Sequence, residues 1–319
     1  MTGAIVRTLK GGDRMVCFTL GSGESSAEDA TPAGYGKVKE LTEKNNYKTQ
    51  VVKLLEKPQI PMECTIVVVG GPRRDYIKPQ VDAIQTFVES GGRALIMLDP
   101  PLKFGGEIDD NAALVDVLKS WGVTLLKDLV LDTSGLGQIF NLGPEYALVT
   151  SYENHAIVKD MKEVPTGFPI ARSMTVADAE KTKVSALLST SADSVATMNL
   201  ASAEIRPGPK DPKGPLVLAA AGTYNTGKEN TTGRFVVVGS SRFVSSGFLP
   251  FNGNRDLYMN MINWLSSDED LISIRPKEPE DRPLNMNTRQ VSMLLYGSVF
   301  GIPLLIVFAG VSVWWRRRS

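Results

Sequence analysis

The sequence predicts an α/β fold: a mostly parallel sheet flanked by helices, with a β-rich middle region and one C-terminal transmembrane helix. Short runs that are apolar throughout alternate with amphipathic segments, as in a parallel sheet covered on both faces. This pattern weakens over 132–215, and an uncharged stretch follows at 291–315. The predicted parts are listed in order: an α/β part at 1–131, a β-rich insertion or subdomain at 132–215, completion of the sheet at 216–274, a Pro-rich charged spacer at 275–290, the membrane helix at 291–315 and a basic tail at 316–319.

The first half contains the clearest elements. Apolar runs predict strands at 15–20, 49–55, 65–69, 94–98 and 124–131. Apolar residues spaced three and four apart predict helices at 35–45, 79–90 and 111–121. Strands and helices that alternate in this way form β-α-β units.

The later elements complete the body. Short runs at 147–150, 170–176 and 184–188 make the middle region β-rich. Strands at 216–221, 234–238 and 271–274, with a helix at 257–265, are expected to complete the first sheet.

Composition excludes several functions. Lys+Arg and Asp+Glu are both 35, and no basic stripe interleaves with aromatic residues, so we expect no nucleic-acid partner. With one histidine and two cysteines in the chain, no cluster has metal-ligand spacing. Cys17 and Cys64 both adjoin apolar runs, which favours buried thiols; a structural disulfide is the alternative.

Two glycine-rich segments resemble nucleotide-binding loops. Residues 222–228 fit G-x-x-x-x-G-K, but Glu229 replaces the magnesium-binding Ser or Thr, and the segment reads as a hairpin loop. Residues 21–24 begin like G-x-G-x-x-G, but Ser26 occupies the third glycine position. We therefore expect no nucleotide cofactor, and no other cofactor or metal.

A polar cleft is expected where the parallel strands end, because ligands of α/β sheets bind beyond the carboxyl ends of the strands. The residues at that edge are Ser22, Glu24, Asp99, Ser240, Ser241 and Arg242. Polar residues at strand ends are also common turn formers and helix caps. Catalysis by a serine triad would depend on His155, and no serine lies in a G-x-S-x-G elbow, so no catalytic residue is predicted.

The predicted membrane helix has 25 uncharged residues, or roughly 37 Å of helix, enough to cross a bilayer. Pro303 should kink it, and Gly297 and Gly301 form a G-x-x-x-G pair that would let another helix approach, in a homo- or hetero-oligomer. The residues expected at the membrane interface are Trp314, Trp315, Arg316, Arg317 and Arg318.

The arginines place the C-terminus in the cytoplasm and the body outside it, in a single-pass protein of the cytoplasmic membrane. The opposite, tail-anchored arrangement is the alternative. Residues 1–13 contain no apolar stretch of signal-peptide length, so we expect an upstream segment to direct export.

An ordered set of stretches carries a resemblance: TIVVVGGPRR at 65–74, FVESGGRALIMLDPP at 87–101, LKSWGVTLLKDLVLD at 118–132, YENHAIV at 152–158, GRFVVVGSSRFVSSGFL at 233–249, GNRDLYMNMINWL at 253–265, LISIRPK at 271–277 and the terminal WWRRR. Together they resemble the auxiliary component of bacterial ABC-type transport systems, the family that includes the gliding-motility protein GldG.

The resemblance implies an extracytoplasmic α/β domain anchored beside an ABC permease and its separate ATPase subunit, with an accessory role. Relatives usually carry a further N-terminal membrane helix. Their G-H-G-E is Gly-Ser-Gly-Glu at 21–24 here, and their G-D-S-D-F is Gly-Ser-Ser-Arg-Phe at 239–243.

Three hypotheses follow. The first is a non-catalytic, membrane-anchored accessory subunit of an ABC-type transport or gliding-motility system. The second is a carbohydrate- or peptide-binding module that uses the cleft. The third is a degenerate hydrolase that uses Glu24 and Asp99.

Overall fold

The computed structural model describes residues 14–103, 107–162, 164–201, 207–229 and 231–266, together with 296, 300, 311 and 313–318. Contacts divide the chain into two units, Met1–Ile274 and Arg275–Ser319. The helices described in the first unit are α1 (Gly36–Lys44), α2 (Lys78–Glu89), α3 (Ala112–Ser120) and α4 (Asn254–Leu265).

The strands of the described residues are β1 (Met15–Thr19), β2 (Lys48–Val52), β3 (Cys64–Gly70), β4 (Arg93–Met97), β5 (Val123–Leu125), β6 (Leu129–Asp132), β7 (Tyr146–Val149), β8 (Ser151–Tyr152), β9 (Thr166–Pro169), β10 (Met174–Val176), β11 (Thr182–Ser189), β12 (Ser194–Thr197), β13 (Val217–Asn225) and β14 (Thr232–Val238). Ten of them form the main sheet, whose central path runs β2-β1-β3-β4-β14-β13-β10-β5. Strand β11 pairs with β13 and with β8.

The predicted parallel sheet is confirmed for the first five strands of that path. The pairings β2·β1, β1·β3, β3·β4 and β4·β14 are all parallel. Strand β14 therefore completes the sheet begun in the first half, as the sequence predicts. The remaining pairings of the main sheet are antiparallel.

Both faces of the sheet are covered, which explains the continuous apolar runs. Successive side chains of a strand point to opposite faces. Val68 of β3 lies in a core with residues of α1 and α4, whereas Val69 lies in a second core with residues of α2 and α3. Each apolar run thus supplies side chains to two cores at once.

The predicted strand at 124–131 is wrong as a single element, because it divides into β5 and β6. Asp128 is buried between them and accepts hydrogen bonds from the Ser173 amide (2.8 Å) and hydroxyl (2.5 Å). These bonds hold the segment out of the β5·β10 ladder. Strand β6 pairs with β12 instead, in a separate two-stranded sheet.

The middle region, 132–215, contains strands β7 to β12. Strands β8, β10 and β11 join the main sheet, and β7 pairs with β9 in another small sheet. The segment 222–228 belongs to an antiparallel hairpin of β13 and β14. Among the described residues, β14 is the next element after this segment, so the predicted hairpin loop is confirmed.

The cysteines form a disulfide. The favoured prediction, that both would be buried free thiols, is therefore wrong, and the alternative is confirmed. Cys17 and Cys64 are bonded, with Cα atoms 5.8 Å apart. Strands β1 and β3, which carry the two cysteines, are parallel neighbours with a register shift between Met15 and Val16. Both cysteines are buried, consistent with the apolar setting that the sequence indicates.

Most of the predicted membrane helix and the predicted strand at 271–274 lie outside the described residues, as do Gly297, Gly301 and Pro303. Residues 313–318 are helical and exposed, and the Arg318 guanidinium lies 4.6 Å from the ring centroid of Trp314. In the part of the chain that the structure describes, no helix is both long and apolar enough to span a bilayer.

Candidate functional site

Four loops meet at the carboxyl edge of the parallel strands, following β1, β3, β4 and β14. Their strands are neighbours in the sheet, so the loops are brought together from distant parts of the chain. The amides of Arg73 and Arg74 donate to the Ser22 carbonyl at 3.0 and 2.9 Å, which joins the first two loops. The amide of Ser241 donates to the Asp99 carboxylate, and this bond joins the loop after β14 to the loop after β4.

Asp99 is the centre of the second pair of loops. Its carboxylate accepts bonds from the Ser241 amide (2.6 Å) and the Ser241 hydroxyl (2.7 Å). The buried Tyr35 donates to the Ser241 carbonyl at 2.6 Å. Burial raises the pKa of Asp99, while the Ser241 bonds and the charges of Arg242 and Arg73 oppose that rise. The carboxylate is thus an acceptor that fastens the β14 loop.

Glu24 has a similar role in the first loop. It accepts bonds from the Ser22 amide (2.7 Å) and the Tyr76 hydroxyl (2.5 Å). Burial, and then the charge of Glu24, raise the pKa of Tyr76 well above its usual value, so this phenol stays protonated and donates. The Gln80 amide also donates to the Ser22 hydroxyl, at 3.3 Å. These contacts close the turn around Gly23, whose φ is +83°.

Gly71 occupies the position directly after β3, facing the centre of the edge. Its φ is +66°, and a Cβ at this position would overlap the Ser241 side chain and lie 3.3 Å from an Asp99 carboxylate oxygen. No side chain fits there without displacing Ser241. The turn therefore has no room for a nucleophile of the kind that a strand-end elbow presents.

Of the residues named from the sequence, the structure brings Ser22, Glu24, Asp99, Ser241 and Arg242 to this edge. Ser240, in contrast, is fully buried, and its hydroxyl donates to the Pro169 carbonyl at 2.6 Å. It therefore points into the fold and is not a cleft residue.

The single histidine lies at the opposite edge. The His155 ring packs against Trp264 with centroids 5.2 Å apart, and the Trp264 carbonyl accepts from Arg234 near the start of β14. The His155 Nδ1 accepts a hydrogen bond from the Ile157 amide at 3.2 Å. His155 is therefore remote from the loops that follow the strands.

Sequence reasoning missed a buried arginine behind the edge. The Nε of Arg172 donates to the Leu126 carbonyl at 2.7 Å, and its Nη2 lies 3.4 Å from the Asp110 carboxylate. Burial lowers the pKa of Arg172, and the charges of Asp110 and Asp128 oppose that effect. The Arg172 amide also donates to the carbonyl of Gly239, the first residue after β14, and so helps to hold the loop that follows this strand. These partners are far apart in sequence, so no local motif signals them.

The edge shows no metal cluster among the described residues. Among the described residues, no group of three or more His, Cys, Asp or Glu side chains could hold a metal ion. A surface groove of about 530 Å³ lies elsewhere, between 58–60 and the outer side of α2. A pocket of about 40 Å³ lies beside β2. Chemically, the edge presents two cationic side chains, Arg73 and Arg242, near the Asp99 carboxylate, which already accepts two hydrogen bonds from Ser241.

Similar structures show the fold alone. The N-terminal domain of mmIFT52 matches with a TM-score of 0.58 at 18% identity, covering 79% of this chain and 97% of that one. A ThuA-like protein from Bacteroides uniformis matches with a TM-score of 0.48 at 14% identity, covering 79% and 91%. No curated protein matches the chain significantly.

The family comparison is more specific. The profile of a family described as ABC-type uncharacterized transport system matches residues 13–273, which is most of the chain. The protein therefore belongs to this family of ABC-type transport system auxiliary components.

Proposed function

We propose that this protein is a non-catalytic accessory subunit of an ABC-type transport system, anchored in the cytoplasmic membrane by residues 291–315. Its α/β domain would lie on the extracytoplasmic side and contact the permease, which works with a separate ATPase subunit. Family membership supplies the transport setting. The stretches shared with the GldG-like family favour a gliding-motility system, and Gly297 and Gly301 would pack the anchor against another helix.

The Cys17–Cys64 disulfide is the observation that carries this proposal. Disulfides persist in oxidising compartments and are rare in the cytosol, where thiols are kept reduced. Here the bond joins two central strands inside the body. The disulfide agrees with the positive-inside rule, by which the arginines after residue 315 favour a body outside the cytoplasm.

The carboxyl edge supports a non-catalytic role. Glu24 and Asp99, the two candidate acids, each accept two hydrogen bonds from the surrounding loops. Gly71 leaves no space for a nucleophile beside Asp99, and His155 lies at the other edge. These contacts favour loop support over proton transfer.

Topology labelling tests the proposal. Lys210 is exposed in the body, and Ser319 follows the predicted anchor. Variants Lys210→Cys and Ser319→Cys would be made separately, in the native host, and treated with a membrane-impermeant maleimide. The disulfide blocks both native sulfurs, so the unmodified protein gives the background.

We expect Lys210→Cys to be labelled in intact cells, and Ser319→Cys only after permeabilisation. Labelling of Ser319→Cys alone in intact cells would place the body in the cytoplasm and overturn the proposal. Labelling of neither variant before permeabilisation would exclude an extracytoplasmic body.

A further inference from the structure

Three uncharged loops converge on one surface of the body. Residues 133–144, 164–171 and 243–254 contain no Asp, Glu, Lys or Arg. Phe248 and Phe251 stack with ring centroids 4.9 Å apart, and Phe140 meets Phe251 edge-on at 5.3 Å. Gly167 lies against both stacked rings, since a Cβ there would be 2.8 Å from Phe248 and 3.0 Å from Phe251.

This surface exposes large apolar side chains to solvent. The exposed fraction is 74% for Ile139, 41% for Phe140, 39% for Val164 and 38% for Leu136. We name the aromatic patch by its residues, which are Leu136, Ile139, Phe140, Val164, Phe248 and Phe251. Clusters of exposed apolar side chains mark interaction sites in soluble domains.

Hydrogen bonds beneath the patch hold two of its three loops together. The buried Asn254 side chain accepts from the Gly167 amide and donates to its carbonyl, both at 2.9 Å. Asn254 also donates to the Phe243 carbonyl at 2.8 Å. One side chain thus fastens two of the three loops together. A preorganised apolar surface binds more tightly because less conformational entropy is lost on binding.

We propose that the aromatic patch binds an uncharged, apolar segment of the permease subunit; this proposal rests on the accessory role proposed above. Aromatic residues are enriched and charged residues depleted in the centre of protein interfaces, and the patch has both features. A charged partner surface would lose its solvation there without gaining an ion pair.

A lipid surface fits less well. None of the three loops carries a Lys or Arg to attract anionic headgroups.

The test compares two charge insertions in the full chain. Ile139→Asp places a carboxylate in the aromatic patch, and Met62→Asp places one at a side chain that is 99% exposed outside it. Each tagged variant would be purified from native membranes in mild detergent, and the co-purified, epitope-tagged permease would be quantified. Urea unfolding midpoints of both variants check that the fold is intact.

We expect Ile139→Asp to reduce permease recovery at least tenfold, while Met62→Asp leaves it unchanged. Equal recovery with both variants, when the unmodified protein recovers the permease, would overturn the patch proposal alone. If the unmodified protein recovers no permease, the accessory function itself fails, and the patch proposal with it.

A photoreactive phenylalanine analogue at position 139 gives a second readout that does not depend on a charge insertion. A crosslink to the permease supports the proposal. Crosslinks to a second copy of this chain or to lipid, or none at all, contradict it.

Discussion

Loss of the Cys17–Cys64 bond should lower the free energy of unfolding of the α/β body, and the size of the effect follows from the loop that the bond closes. The cysteines are 47 positions apart. In the chain-entropy treatment, a loop of this length removes about 14 cal/mol/K from the unfolded ensemble, or about 4 kcal/mol at 25 °C. This is a large share of the roughly 5–15 kcal/mol that stabilises a typical native protein.

The measurement is urea unfolding of three forms of the protein: oxidised, reduced, and carrying Cys17→Ala with Cys64→Ala. Fluorescence of Trp121 and Trp264 reports the body, because both side chains are buried there. The oxidised and reduced forms differ only by the bond, so their difference isolates the cross-link. The reduced and alanine forms differ by two buried sulfur atoms, which isolates the packing contribution.

We expect the reduced form to unfold at a urea concentration more than about 1 M below that of the oxidised form. Equal midpoints would refute the entropy argument. Two free thiols in protein denatured without reductant would show that the bond does not form in the cell. That result would also remove the main support for an extracytoplasmic body.

Two further substitutions test the carboxyl edge. Gly71→Ala should lower the free energy of unfolding by about 2–4 kcal/mol, because the new Cβ overlaps Ser241 and alanine must adopt a positive φ. The control is Gly227→Ala, where φ is +74° and nothing lies within 4 Å of the new Cβ, so the loss should be only about 1–2 kcal/mol. Equal losses in the two variants would contradict the overlap at Gly71. Burial raises the pKa of Asp99 in the folded protein above its usual 3.8. Because the folded protein then binds this proton more tightly than the unfolded chain, the stabilisation from the protonated carboxyl group is complete below pH 3.8 and is lost as the pH rises through the folded-state pKa. Stability curves from pH 3 to 8 should therefore show the unmodified protein losing stability relative to Asp99→Asn as pH rises, and a rising or flat difference would refute the assignment.

The parallel half of the sheet could be predicted because each of its strands is buried on both faces and leaves an unbroken apolar run. The antiparallel half lacks that signal. In β11, exposed, half-buried and buried positions are mixed, so the sequence pattern gives only a weak strand prediction. The division of 124–131 depends on Asp128 meeting Ser173, a contact between residues 45 positions apart that no local pattern encodes.

Most of the edge residues could be predicted because parallel strands place their following loops side by side. That rule identifies positions and does not give side-chain directions. Ser240 and Ser241 are adjacent, yet one bonds to Pro169 inside the fold and the other to Asp99 at the edge. Tyr35 and Tyr76 were missed because neither directly follows a strand, although both donate hydrogen bonds that hold the edge loops.

The hydrogen bonds of the edge connect it to the aromatic patch through a single segment of chain. Asp99 holds Ser241 at the start of the loop that follows β14, and Asn254 holds the end of that loop against Gly167. Phe248 and Phe251 lie between these two fixed points. The bonds to Asp99 keep the start of this loop in place. This division of roles, with polar residues as support and apolar residues as contact surface, is consistent with the accessory role proposed above.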